Sequence, residues 1–336
     1  MYVPISRGSA GRSPQQNPAP FQEPRQWGAP YLDVEIVALD GTKLHAWFIY
    51  PPAAHGDGVP SEDPFTVLFF HSNAGNIGHR LQNFHELRKH LGVGILALEY
   101  RGYGDSEDGG GPCERGLVMD AMGAYQWLVD QGRRERGDHC PKDSTARHSR
   151  HGEVLPALPI NAERVIVFGR SLGGAVAIRL VARIIAGKAV GRPECTNLPL
   201  PAGLVLENTF TCTADMALRL FPPLILFAPL LRRPLLLDEW QSADWLRAIC
   251  ESDHRGPLHI CLLSAMHDQI VPAEHMSRLN RIAKAHRTAS GRSARFRQFA
   301  TGGHMDLPTK AGPAYWQALH ALLEEIREDL RGSAVR

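Results

Sequence analysis

The segment Gly169-Arg170-Ser171-Leu172-Gly173 carries the plainest chemical meaning in this sequence. A short apolar run at 164–168 (RVIVF) leads into it, and an apolar helical stretch from Leu172 to about Ala186 leads out. A serine between strand and helix must turn so tightly that its backbone is strained, and the glycines of G-x-S-x-G remove the side-chain clashes. Its hydroxyl then stands at the strand's C-terminal edge, beside helix-terminal amides that favour developing negative charge. A glycine-rich packing turn would also explain the five residues taken alone. Their place between RVIVF and LGGAVAIRLVARII points to a nucleophile instead.

A serine nucleophile needs a base, and the base needs a group that orients it. Asp268 lies in SAMHDQIVP, directly after an apolar run at 258–263. His304 lies in FRQFATGGHMDLP after the run 296–299, and Gly302 and Gly303 give its loop freedom to reach back. Taken singly, Asp268 reads as a turn or helix-cap residue, and His304 as one exposed histidine among 16. Both follow strands, in the order Ser–Asp–His that a nucleophile elbow calls for. This assigns His304 as the base that takes the Ser171 proton and Asp268 as the group that fixes its tautomer. The loop His71-Ser72-Asn73-Ala74-Gly75-Asn76 after the run 65–70 then supplies one oxyanion donor, the Asn73 amide. Leu172, next after the nucleophile, supplies the other. Each such donor is worth about 3 kcal/mol of transition-state stabilisation; a polar turn capping the next helix is the bland reading of the same loop.

These residues need a scaffold, and the chain alternates strand and helix signals. The runs 33–39 and 43–50 flank Asp40-Gly41, a hairpin turn signal. The run 65–70 (FTVLFF) is apolar on both faces, as a strand inside a parallel sheet is. A helix over 78–90 follows, then the strand 93–99 ending in the turn YRGYGDS, and a helix over 116–130 that ends near Gly132. After 164–168 come strands at 204–207, 258–263 and 296–299, with helices near 273–287 and 313–330. The pattern predicts an α/β fold with a mostly parallel central sheet flanked by helices. Residues 1–30 read as a Pro/Gly-rich irregular leader, and 31–330 as a single domain. Within it, 131–160 is a polar Arg/His-rich insertion loop and 208–256 a small cap region.

Composition narrows the function classes. The 336 residues are 43% hydrophobic, enough for a sizeable core. Thirty-seven Lys+Arg against 35 Asp+Glu leave no basic field for nucleic acid. The six cysteines lack CxxC spacing, which argues for free thiols in a reducing compartment. No secretory apolar segment opens the chain, and Tyr2 excludes myristoylation. The longest uncharged apolar run, LFPPLILFAPLL at 220–231, has 12 residues and three prolines, against the roughly 20 that span a bilayer. His139, Cys140, His148 and His151 fit no zinc spacing, and Gly109–Gly111 lacks the Lys-Ser/Thr of a phosphate loop. The chemistry above calls for neither metal nor cofactor. Glu99, at a strand's end, receives no role.

Taken together, HSNAGNIGHR, EYRGYGDSE, GRSLGGAVA, ENTFT, HDQIVPAEHM and GGHMDLP resemble the α/β-hydrolase-domain proteins of the bud-emergence (Bem) type. This group includes membrane-associated serine hydrolases and is related to protein-depalmitoylating thioesterases. The leader stretches YVP, SPQQNP and WGAPYLDV match the same style. Ser72 departs from the family's usual glycine and tightens the loop beside the oxyanion position. The resemblance implies an α/β-hydrolase fold and an acyl ester or thioester substrate, extending to palmitoyl groups on proteins. A prolyl-oligopeptidase-like peptidase uses the same triad, and a non-catalytic scaffold in polarity or membrane organisation is the third reading. Family members often carry an apolar anchor or palmitoylated cysteines near the start. The expected location is therefore the cytoplasm or the cytoplasmic face of a membrane; starting at the YVP stretch, the chain reads either as a soluble variant or as one whose upstream anchor has been lost. The run 220–231, beside Arg219 and Arg232-Arg233, reads first as a lining for an acyl pocket and second as a peripheral membrane contact.

Overall fold

The computed structural model describes residues 13–52, 64–135, 150, 154–189, 191–196, 198–220, 238–252, 258–285, 288, 291 and 293–334. The chain divides into two compact units, 1–168 with 197–202 and 169–196 with 203–336. The strands, β1 (Tyr31–Val37), β2 (Lys43–Ile49), β3 (Thr66–Phe70), β4 (Gly94–Leu98), β5 (Val165–Arg170), β6 (Gly203–Glu207), β7 (His259–Ala265) and β8 (Arg295–Phe299), order as β1-β2-β4-β3-β5-β6-β7-β8 in a mostly parallel sheet.

In the first unit, strand β1 (Tyr31–Val37) pairs antiparallel with β2 (Lys43–Ile49), Tyr31 facing Ile49 and Val37 facing Lys43. The Asp40-Gly41 turn closes this hairpin, the Gly41 amide donating to the Ala38 carbonyl at 2.9 Å. Strand β2 continues antiparallel onto β4 (Gly94–Leu98), which pairs parallel with β3 (Thr66–Phe70). Every residue of β3 and β4 is buried, as strands covered on both faces require. Helix α1 (Leu81–Leu91) buries Phe84 against Phe69, ring centroids 5.1 Å apart, and Phe69 stacks on Phe168 from its other side. Helix α2 (Glu114–Glu135) runs past Gly132, where the sequence had suggested its end. There the Gly132 α-carbon lies close against the backbone of Ile160 and Ala162, an approach that requires glycine. The remaining core of the insertion, 136–149, lies outside the described residues.

The described part of the leader, 13–30, is more ordered than its composition implies. Two short 3₁₀ turns, Pro14–Gln16 and Pro24–Trp27, bracket a buried Asn17. Proline at the first position of each turn presets the backbone without losing a needed donor. The Asn17 carboxamide then exchanges two hydrogen bonds, 2.8 and 3.0 Å, with that of Asn76. Sequence reading missed this pair because 59 positions separate its members.

In the second unit, β6 (Gly203–Glu207), β7 (His259–Ala265) and β8 (Arg295–Phe299) form a parallel ladder, Glu207 facing Leu263 and Leu263 facing Arg297. Strand β5 (Val165–Arg170) passes from the first unit into the second at Gly169. It feeds helix α3 (Leu172–Ala189), whose apolar residues are nearly all buried. Around it follow α4 (Thr213–Leu220), α5 (Ser242–Glu251), α6 (Ala273–Ala283) and α7 (Pro313–Ala334). Arg179 of α3 lies over the Trp245 ring of α5 at 3.8 Å, a cation–π contact that ties the two helices. The apolar run 220–231 lies, but for its first residue, outside the described residues, as do His139, Cys140, His148 and His151. No helix among the described residues is long and apolar enough to cross a membrane. Cys113, Cys195, Cys212, Cys250 and Cys261 are free thiols.

Candidate active site

Ser171 stands between β5 and α3 with φ 55°, a left-handed backbone that a residue with a Cβ adopts only under constraint. The constraint is legible atom by atom. A Cβ on Gly169 would fall inside the van der Waals envelope of the Gly173 carbonyl and the Gly174 α-carbon, so the chain can fold back this tightly only over glycine. The Ser171 amide donates to the Glu207 carbonyl at 3.0 Å, and the Ser171 carbonyl accepts from the Thr209 hydroxyl at 2.6 Å. Both backbone polar groups of the strained residue are thus held by the end of β6. The residue before it is anchored as firmly: the buried Arg170 guanidinium pairs with Glu207, which also accepts from the Tyr315 hydroxyl. Leu172 opens α3 immediately afterwards.

Asp268 follows β7 and His304 follows β8, and the structure brings the two together. His304 Nδ1 lies 2.7 Å from Asp268 Oδ2, with His304 only 4% exposed. The other carboxylate oxygen, Oδ1, accepts from the amides of Ile270 and Val271, each at 2.8 Å. Two backbone donors on one oxygen leave the second oxygen aimed at the imidazole. In the neutral ring this contact puts the proton on Nδ1, which donates it to Asp268, and leaves the lone pair on Nε2, the tautomer a general base needs. The His304 loop is shaped by Asp306, whose Oδ1 accepts from the Gly303 amide at 2.7 Å. His304 also forms part of the wall of an open cavity of ≈ 480 Å³, together with His267, Gln269, Met305 and Lys310.

Asn73 belongs to the first unit, in the loop after β3, and its surroundings there are built with care. The Tyr103 hydroxyl lies 2.9 Å from the Asn73 carbonyl oxygen and 3.1 Å from its Oδ1. Tyr100 donates to the His71 carbonyl at 3.0 Å, and its ring packs on the His71 imidazole. Burial pushes His71 down to about 3, so the ring is neutral and its Nδ1 donates to the Ser72 carbonyl. Glu99, left without a role by the sequence, is the hub of this region. Its fully buried carboxylate accepts from the amides of Ile77 and Asp105 at 2.9 and 2.8 Å and lies 3.1 Å from His45. A Cβ on Gly104 would overlap that carboxylate, which explains the glycine of RGYGD. The EYRGYGDS turn thus braces the 71–77 loop, a function that only long-range contacts reveal. Among the described residues, no group of three or more His, Cys, Asp or Glu side chains is arranged to hold a metal ion.

A strand–elbow–helix with a left-handed serine, and an Asp–His pair carried on the loops after two later parallel strands, define the α/β-hydrolase fold. A solved structure with this fold, the Pyrococcus furiosus esterase Pf2001, superposes with a TM-score of 0.58 at 16% identity, covering 96% of this chain and 100% of that one. No family model matches the sequence. Among curated proteins, the α/β hydrolase domain-containing protein WAV2 of Arabidopsis thaliana is 31% identical over 339 residues, covering 98% of this chain and 88% of the relative. Protein bem46 of Schizosaccharomyces pombe is 27% identical over 312 residues, covering 93% and 83%. The lysophosphatidylserine lipase ABHD12 of Danio rerio is 26% identical over 245 residues, covering 70% and 51%. The chain belongs to the α/β-hydrolase-domain family of the Bem46 type.

Proposed function

We propose that this protein is a serine hydrolase that cleaves acyl esters or thioesters through an acyl-enzyme. Ser171 Oγ attacks the substrate carbonyl carbon as His304 Nε2 takes its proton. The resulting oxyanion is met by the Leu172 and Asn73 amides, an assignment that rests on their positions after the nucleophile and after β3. Collapse of the tetrahedral intermediate expels the alcohol or thiol, which leaves with the proton from His304. Water, giving its proton to His304, then attacks the acyl carbon, releasing the carboxylic acid and restoring Ser171. Asp268 holds His304 in the required tautomer and stabilises the imidazolium as it forms. Every proton is carried by a side chain or water, and the scheme calls on no metal or cofactor.

One observation carries this reading: a serine forced to φ 55° in the same compact unit as a 2.7 Å His304–Asp268 pair. Lipid-like acyl groups, including palmitoyl thioesters on proteins, are the substrates we favour. The apolar sequence of the run 220–231 is the composition that such a chain would favour, and one relative is named a lysophosphatidylserine lipase. The same run, flanked by arginines, offers peripheral contact with a membrane, which would place the protein in the cytoplasm or on a membrane's cytoplasmic face. Hydrolysis of acetyl to palmitoyl p-nitrophenyl esters, a palmitoyl thioester and a peptide anilide by wild type and Ser171→Ala tests the proposal. It predicts Ser171-dependent turnover that favours long acyl chains and esters or thioesters over the amide. Faster cleavage of the anilide, or equal turnover by the variant, would contradict it.

A further inference from the structure

The tripeptide Glu207-Asn208-Thr209, at the end of β6, touches the backbone of Ser171, the end of the strand that delivers Asp268, and the loop that carries His304. Glu207 and Thr209 hold the Ser171 amide and carbonyl. Asn208 joins the other two, the end of β7 and the His304 loop. Its own amide donates to the Leu263 carbonyl at 3.1 Å, continuing the β6–β7 ladder one step beyond the strand. Its side-chain oxygen then accepts from the Ala265 amide at 2.8 Å, at the last residue of β7 and three before Asp268. Only an oxygen can accept there, so the orientation of the carboxamide is settled and its NH₂ points the other way. That NH₂ lies 3.3 Å from the Gly303 carbonyl and 3.4 Å from the carbonyl of His304 itself. Asn208 is 1% exposed and sits at φ 47°, a left-handed conformation that asparagine tolerates better than most residues.

From this we infer that Asn208 is a positioning residue for the Ser171–His304–Asp268 machinery, a strut whose carboxamide fixes the His304 loop to the strand that delivers Asp268. The inference rests on the serine-hydrolase reading above. The chemistry of the side chain suits the task. A carboxamide alone offers an acceptor to Ala265 and a donor to two carbonyls within one planar group. A carboxylate would keep the first contact and turn an acceptor toward two other acceptors. Glycine would keep the left-handed backbone and lose every side-chain contact. Loop displacement on the scale of 1 Å costs about 100-fold in rate when reacting groups must align.

The test compares Asn208→Asp and Asn208→Gly with wild type and Ser171→Ala. Three quantities are read: kcat and KM for a p-nitrophenyl acyl ester, the rate constant of fluorophosphonate labelling, and the low-field ¹H resonance of the His304 Nδ1 proton. The labelling rate constant reads the folded enzyme alone, and the labelled fraction supplies the active-enzyme concentration from which kcat is calculated. Both Asn208 variants should lower kcat and the labelling rate ten- to a hundred-fold, leave KM within about three-fold, and broaden or shift the His304 resonance. A kcat within two-fold of wild type in either variant, a loss carried by KM alone, or an unchanged resonance would overturn the inference. Full turnover by Ser171→Ala would instead overturn the hydrolase reading. In that event the resonance, which needs no turnover, still decides whether Asn208 sets the His304–Asp268 geometry.

Discussion

Asp268→Asn changes charge and proton inventory while keeping the side chain's shape, and the local geometry dictates the outcome. Asp268 Oδ1 accepts from two backbone amides, Ile270 and Val271, at 2.8 Å each. An oxygen must occupy that place, so the introduced amide has to turn its NH₂ toward His304 Nδ1, 2.7 Å away. Two donors cannot share that line. The imidazole must shift its proton to Nε2, so that Nδ1 accepts, and the nitrogen that should deprotonate Ser171 no longer has a lone pair. In serine-protease triads the same exchange lowers kcat by about 10⁴. At 1.36 kcal/mol per decade this is about 5.5 kcal/mol of transition-state stabilisation. The fold should tolerate the change, because both backbone donors stay satisfied and packing is unaltered. Steady-state hydrolysis of a p-nitrophenyl acyl ester, with thermal unfolding as the control, measures the effect. A folded variant whose kcat stays within ten-fold of wild type would refute the tautomer argument and Asp268's role with it.

Three further outcomes follow from the same contacts. Gly169→Ala should destabilise the protein by about 1–3 kcal/mol, because its Cβ meets backbone that cannot move aside, and should slow fluorophosphonate labelling; urea unfolding and labelling kinetics check both. If Asn73 supplies the proposed oxyanion amide, Tyr103→Phe, which removes the hydroxyl that holds Asn73, should lower kcat about ten-fold with a melting temperature within a few degrees of wild type, read by steady-state kinetics and a thermal melt. The third concerns pH. Burial alone would depress His45, but the Asp33 and Glu99 carboxylates outweigh it and hold the pKa up at about 9. A pKa raised from 6.5 in folding gives stability that is complete below about pH 6.5 and is lost as pH rises through about 9, worth about 3 kcal/mol. Urea unfolding at pH 6 and pH 10 should show wild type losing that much more than His45→Gln.

Much of this architecture could be read before any coordinates, for reasons of physics. G-x-S-x-G is short and local, and its tight turn leaves a fixed spacing in the chain; Ser171 was therefore visible at once. Asp268 and His304 were visible because parallel strands place their following loops on one edge, so order along the chain stands in for proximity. Strands β3 and β4 declared themselves by being apolar on both faces. What stayed hidden was what depends on distance in sequence. Glu99 lies 22 residues from the Ile77 amide it holds, and no local pattern links them. Asn17 and Asn76 are two unremarkable asparagines until the fold pairs them. Asn208 looked like part of a family signature, ENTFT, and its contacts with Ala265 and His304 span 57 and 96 positions. The leader read as irregular because its prolines suppress helix and strand signals alike, although in the fold they build two defined turns.

The central claim is that Ser171 is a nucleophile activated by its setting. Intact-mass and peptide mass spectrometry after exposure to a fluorophosphonate test it most directly. Wild type should carry a single adduct, mapped to Ser171, and Ser171→Ala none. An unlabelled wild type, or equal labelling of the variant, would contradict it.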